Sequence, residues 1–246
     1  MNLALNRGLH KRDAASHLRA QLQRTRTLHR QSLADTVHQQ QRLRLVEWQS
    51  ARIGKTYADL AANPRYRLAV EFFMQELYGP RDFSRRDHDL ERVSPVLVRM
   101  LPAKVLRTVA VAVELNALSQ ELDNQLLGQL RSESCDFDRL DVNRYASAYR
   151  NCGNQDLRRL QIELTRELGE DLDRVVRKPL IRKALKLMRP AAELAGFGDL
   201  QSFLEMGFGA FRGMNGAEEF LNIIIDRESR ILRRIFDAHP APFDLI

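Results

Sequence analysis

The sequence predicts an all-α protein: a multi-helix globular bundle with a long basic N-terminal helix and no significant β-sheet. Three observations carry that expectation. Apolar residues recur at three- and four-residue spacing through most of the 246 residues, the period that gathers them on one face of a helix. Alternating runs bounded by hairpin turns, the mark of half-buried strands, are missing. Capping residues, prolines and glycines punctuate the chain at intervals of helical length. With 44% hydrophobic and 29% charged residues, a chain of this size can bury enough apolar surface to stand without disulfides or metals.

The first helix is expected to start near Asp13 and to run, with a break, towards residue 62. Its second half sets Leu43, Val46, Ile53, Tyr57 and Leu60 on a face fit to dock. Its first half, "HLRAQLQRTRTLHRQSLADTVHQQQ", is dominated by Arg, Gln and His, with scattered leucines. A projecting basic segment is therefore expected over residues 1–40, ahead of a single helical domain over 41–246. Removing the segment is then expected to leave that domain folded.

Asn63-Pro64 reads as a cap followed by the proline favoured at a first helical position. The helix it opens carries a stripe of Tyr66, Ala69, Val70, Phe73 and Leu77, widened by Leu68 and Phe72. Gly79 and Pro80 end it, and Asp82 or Ser84 caps the next, with Ser84 and Asp87 spaced as a capping box. Ser94-Pro95 and Pro102 mark further restarts. A long apolar helix follows Pro102, then a short one over 137–150, then a leucine stripe of Leu157, Leu160, Leu164, Leu168 and Leu172. Residues 179–195 carry Leu180, Ile181, Leu185 and Leu187, with a bend expected at Pro190. The last two helices are separated by an Asn215/Glu218 capping box, and the proline-bearing tail is expected to be extended.

Charge is unevenly placed. Residues 1–55 hold eleven Lys or Arg against three acids, a balance of +8, whereas the remaining residues balance at −1. That asymmetry points to an acidic partner, a protein in the first instance, with nucleic acid or an anionic membrane surface as alternatives. A homo-oligomer is also compatible with it. No run approaches the roughly 20 apolar residues of a membrane span, so no transmembrane segment is expected. The N-terminus lacks the apolar core of a secretory signal, and the two cysteines, Cys135 and Cys152, fit no ligand or redox motif. A cytoplasmic location is expected.

Several constellations are candidates for binding. Arg19, Arg24, Arg26 and Arg30, with Lys11 and Arg12, could meet phosphates, although no aromatic residue precedes Trp48 to stack a single strand. Arg85 and Arg86 stand in a charge-dense run, whose i,i+4 pairs read first as decoration of a solvated helix. Glu114 and Glu228 break the binary pattern. Glu114 has Ala110, Val111, Ala117 and Leu118 as its helical neighbours, and Glu228 has Ile224, Ile225, Ile231 and Leu232. A carboxylate there must find an arginine, share hydrogen bonds or take up a proton; Arg81, Arg85, Arg107 and Arg212 are the arginines considered. The six histidines show no i,i+3 or i,i+4 ligand spacing, so no metal and no cofactor are expected. Gly207, Gly209, Gly213 and Gly216 interleave with Phe203, Phe208 and Phe211 and follow no strand, which indicates close helix packing rather than a phosphate loop. No nucleophile motif supports catalysis.

The stretch "FFMQELYGPRDFSRRD" resembles the signature of the bacterial FFLEELY motif family, with Phe72, Phe73, Glu76, Leu77 and Tyr78 matching and Met74 and Gln75 departing. The strings "LAGFGDLQSFLEMGFGAFRGM" and "FLNIIIDRESRIL" are similar to that family's C-terminal pattern. The resemblance implies a helical bacterial protein and carries over no functional residue.

The leading functional expectation is a non-enzymatic interaction or regulatory protein that meets an acidic partner through its basic N-terminal helix. The alternatives are a protein or enzyme that takes an apolar or anionic small molecule around Glu114 and Glu228, and a nucleic-acid-binding protein.

Overall fold

The computed structural model describes the backbone of residues 11–32, 36–76 and 84–245, without the side chains of 29–32, 36–38 and 84–87. Among the described residues the chain forms eleven α-helices and no strand. They are α1 (Lys11–Ser32), α2 (Thr36–Thr56), α3 (Ala58–Ala62), α4 (Arg67–Glu76), α5 (Ser84–Met100) and α6 (Ala103–Ser132). A 3-10 turn at Phe137–Arg139 leads into α7 (Val142–Asn151), α8 (Gln155–Val176), α9 (Pro179–Leu194), α10 (Gly198–Gly213) and α11 (Glu218–Phe236).

Helix α6 is apolar on nearly every side in its first half and keeps a leucine face in its second, so it needs several neighbours. It packs against α1, α2, α7 and α8, and Leu106, Leu122, Leu126, Leu127 and Leu130 are fully buried along it. Helix α8 is the second hub. It touches α6 on one side and α9, α10 and α11 on the other, which joins the two halves of the bundle.

The projecting arm is not what forms. Over its described part α1 lies along α6, with Ala14, Ala15, Leu18 and Leu22 packed against Leu106, Ala110 and Val113. The cause is a seam hidden by composition. These four residues recur at helical spacing, and the two alanines let the backbones approach, while Arg and Gln occupy the other faces. The expected division at residue 40 falls inside α2.

Other expectations are corrected locally. Helix α4 starts at Arg67, because the Asn63 side chain accepts a bond from the Arg65 N–H (3.0 Å) and holds 63–66 as a turn. Pro95 restarts nothing, and α5 runs through it. Pro95 is exposed, so the carbonyl it leaves unbonded can turn to solvent. Pro190, where a bend is expected, lies within α9. Leu43, Leu68 and Leu160 are exposed, and Leu45 takes the buried place on α2. The Asn215/Glu218 box does not form: Asn215 adopts a positive φ of 51°, and the Ala217 N–H at the head of α11 donates instead to Asp173 Oδ1 of α8 (3.1 Å). The corner at 77–83, with Leu77, Tyr78, Gly79, Pro80 and Asp82, lies outside the described residues.

Close packing by glycine holds at Gly207, where an added Cβ would stand 2.9 Å from the Phe72 ring. It does not extend to Gly209, which has open space around it.

Candidate functional site

Where α2, α7, α8 and α11 converge, their side chains enclose a cavity of about 40 Å³ lined by Arg52, Tyr145, Tyr149, Arg158, Gln161 and Glu228. The aliphatic side chains of Ile231 and Ile235 and the ring of Phe243 complete the wall. Each helix brings its polar group inward for a local reason. On α7, Tyr145 and Tyr149 are one turn apart and share a face, with ring centroids 5.9 Å apart. Trp48 of α2 stacks on Tyr145 at 4.2 Å, which fixes α2 against α7. One turn beyond Trp48, Arg52 reaches over α11.

The Glu228 carboxylate is held twice at Oε1. Tyr57 donates its hydroxyl at 2.7 Å and Arg52 donates Nη1 at 3.1 Å. Burial opposes the charge on Arg52, and the neighbouring Glu228 carboxylate reverses that, so the guanidinium pKa ends above its ordinary value. Arg158 is different. It is only 5% exposed, yet no carboxylate stands within ion-pair distance of it among the described residues. Its Nη2 donates to the Leu122 carbonyl (3.2 Å), its Nη1 approaches Gln161 Oε1 (3.4 Å), and its guanidinium lies 4.4 Å from the Tyr149 ring centroid. The Nε groups of both Arg52 and Arg158 are buried and meet no acceptor among the described residues.

Asp123 of α6 stands beside this cluster. It accepts a bond from Gln49 Nε2 (3.1 Å), and burial raises its pKa against the pull of Arg158. Burial also raises the Tyr145 and Tyr149 hydroxyls, so both rings are neutral donors at ordinary pH. The arrangement sets two cations and two phenols beside the carboxylate of Glu228, with Asp123, whose pKa burial raises, at its edge. A group that accepts hydrogen bonds and carries negative charge suits it.

The residues singled out in the sequence separate. Glu228 belongs to the cavity and Glu114 does not; Glu114 faces α1, where His17 Nε2 approaches it at 3.0 Å. Among the described residues neither glutamate pairs with Arg107 or Arg212, and Arg107 instead pairs with Glu167; the side chains of Arg81 and Arg85 lie outside the described residues. Both are partly exposed, at 23% and 28% of the side chain, rather than core residues. Arg24 is bound to Glu121, and Arg26 to Glu91 at 3.2 Å. Lys11 donates to the Arg99 carbonyl. Arg12 and Arg19 are exposed. The side chains of Arg30, Arg85 and Arg86 lie outside the described residues. Asp89, read as part of a solvated run, is 3% exposed, with Arg92 at 3.6 Å.

Arg52, Tyr145, Tyr149 and Arg158 were not singled out. Only the i,i+4 tyrosines on a ten-residue helix carried a signal, since an arginine among leucines and glutamines reads as surface. Among the described residues no group of three or more His, Cys, Asp or Glu is placed to hold a metal ion, and no helix is long and apolar enough to cross a membrane.

A family model described as "Domain of unknown function (DUF8198)" matches residues 28–242, and the chain belongs to that family. Comparison with curated proteins and with solved structures finds no match.

Proposed function

We propose that this member of the DUF8198 family is a ligand-binding helical protein whose internal cavity takes a small oxyanion, such as a short carboxylate, nitrate, bicarbonate or phosphate. The observation that carries the reading is Arg158, a buried guanidinium with no carboxylate partner among the described residues and a free Nε beside a polar cavity. A buried guanidinium with no carboxylate within ion-pair distance is costly, and an anion accepting from Arg158, Arg52 and a tyrosine hydroxyl would reduce that cost. About 40 Å³ accommodates roughly three waters or one small oxyanion, which excludes nucleotides and sugars.

Titration calorimetry with formate, acetate, nitrate, bicarbonate and phosphate, paired with thermal melts, tests this. At least one anion should bind at one per chain and raise the melting temperature with concentration. Replacing Arg158 with Met should weaken that binding by about ten- to a hundredfold, the value of a hydrogen bond to a charged group. The variant should melt no lower than the parent in anion-free buffer, because exchanging a buried ion for an apolar side chain of similar length is often neutral. No melting shift with any of the five, together with ordered water alone in crystals grown from them, would reject the reading. Among the described residues, an acidic partner reached through the basic N-terminal helix draws support from the exposed Arg12 and Arg19.

A further inference from the structure

We propose that α9 is a docking face for an anionic lipid surface, a role separate from the cavity. Helix α9 has three sectors. Ile181, Leu185 and Ala192 are half-buried towards the body, where α9 leans on α10 and α8. Gln201 of α10 donates to the Leu185 carbonyl at 2.7 Å and Arg189 meets Glu205 at 3.1 Å, so the rotation of α9 on the body is fixed. The second sector points outward and is apolar: Leu180, Leu187 and Leu194, spaced two turns apart, are 75%, 79% and 91% exposed, with Met188 beside them. The third is basic and comprises Arg182, Lys183, Lys186 and Arg189, next to Lys178 at the helix head.

Among the described residues no carboxylate forms an ion pair with Lys178, Arg182, Lys183 or Lys186, and the helix carries a single acid, Glu193. A row of leucines bordered by unneutralised lysines on a helix too short and too charged to span is the pattern of a helix lying in the headgroup region. The charge selects the occupant. A second copy of this face would bring lysine rows together. Residues 1–10 of the same chain carry Arg7 and no acid, so they repel it as well. Nucleic acid would satisfy the cations and leave the leucines in water. An anionic bilayer satisfies both, attracting the lysines through its surface potential and receiving the leucines at the acyl boundary.

Co-sedimentation of the full-length protein with vesicles of equal parts phosphatidylglycerol and phosphatidylcholine tests the inference. The protein should sediment with them and remain in solution with phosphatidylcholine alone. Leu180→Ser with Leu187→Ser should reduce the bound fraction at least about tenfold, and Lys183→Glu with Lys186→Glu should do the same. Both pairs are exposed, so helicity and melting should match the parent. Failure to bind anionic vesicles overturns the proposal, as does equal binding to neutral ones. Loss with the lysine pair but not the leucine pair also overturns it, since that outcome marks a charge-only surface for nucleic acid or acidic protein.

Discussion

Asp123 shows how a single buried carboxylate writes itself into the pH response. Burial raises its pKa in the fold, so the folded protein keeps a proton that the unfolded chain gives up first. Its contribution to stability is complete below the ordinary carboxylate pKa and is lost as pH rises from there through the folded value. Asp123→Asn keeps an oxygen to accept the Gln49 bond and removes the titration. Urea unfolding at a series of pH values should show the variant losing less stability across that window than the parent; identical slopes would contradict it. Glu228 was legible at this scale because it interrupts an isoleucine face. Its partner was not: Arg52 is 176 positions away in the chain, and nothing local to either residue encodes that distance. Arg158 was illegible for the opposite reason, since its sequence neighbours give no hint that α6 would cover it.

At the scale of the helix, backbone chemistry explains what was read correctly and what was not. The start of α6 after Pro102 followed from a residue that cannot continue a helix from before. Pro95 carries the same chemistry at an exposed position, and the helix runs through it. The cap of α11 comes from Asp173 on another helix, so no search of the preceding four residues could have found it. Glycine obeys the same division. An added Cβ at Gly169 would stand 2.3 Å from a Leu221 methyl, and at Gly209 it would meet nothing within 4 Å. Gly169→Ala should therefore lower stability by about 1–3 kcal/mol through overpacking between α8 and α11. Gly209→Ala should raise it by about 0.5–1 kcal/mol through helix propensity. Denaturant midpoints of the two variants should move in opposite directions.

Across the whole molecule, the all-helical class was legible, and the assembly of the helices was not. Composition marked α1 as an arm, because net charge averages over all faces of a helix while docking uses one. Leu18 of α1 has no exposed surface, and replacing it with Ala should cost about 2–5 kcal/mol. Deleting residues 1–32 should do more than detach an appendage: it uncovers Leu106, Ala110 and Val113. Thermal melts should place the truncated chain well below the parent, and an unchanged melt would restore the arm. Exposed basic side chains are found on the outer edge of α1, at Arg12 and Arg19, and in the row on α9.

Phe243, near the end of the chain, closes one wall of the cavity, with its ring centroid 5.3 Å from the Arg52 guanidinium and 6.0 Å from that of Trp48. The other walls are helices wedged between neighbours, while this one belongs to the tail after α11. On the anion-binding reading proposed above, this ring is the one wall whose displacement would disturb no helix. Truncating that ring would shorten residence time and hasten capture together, with affinity changing far less than either rate.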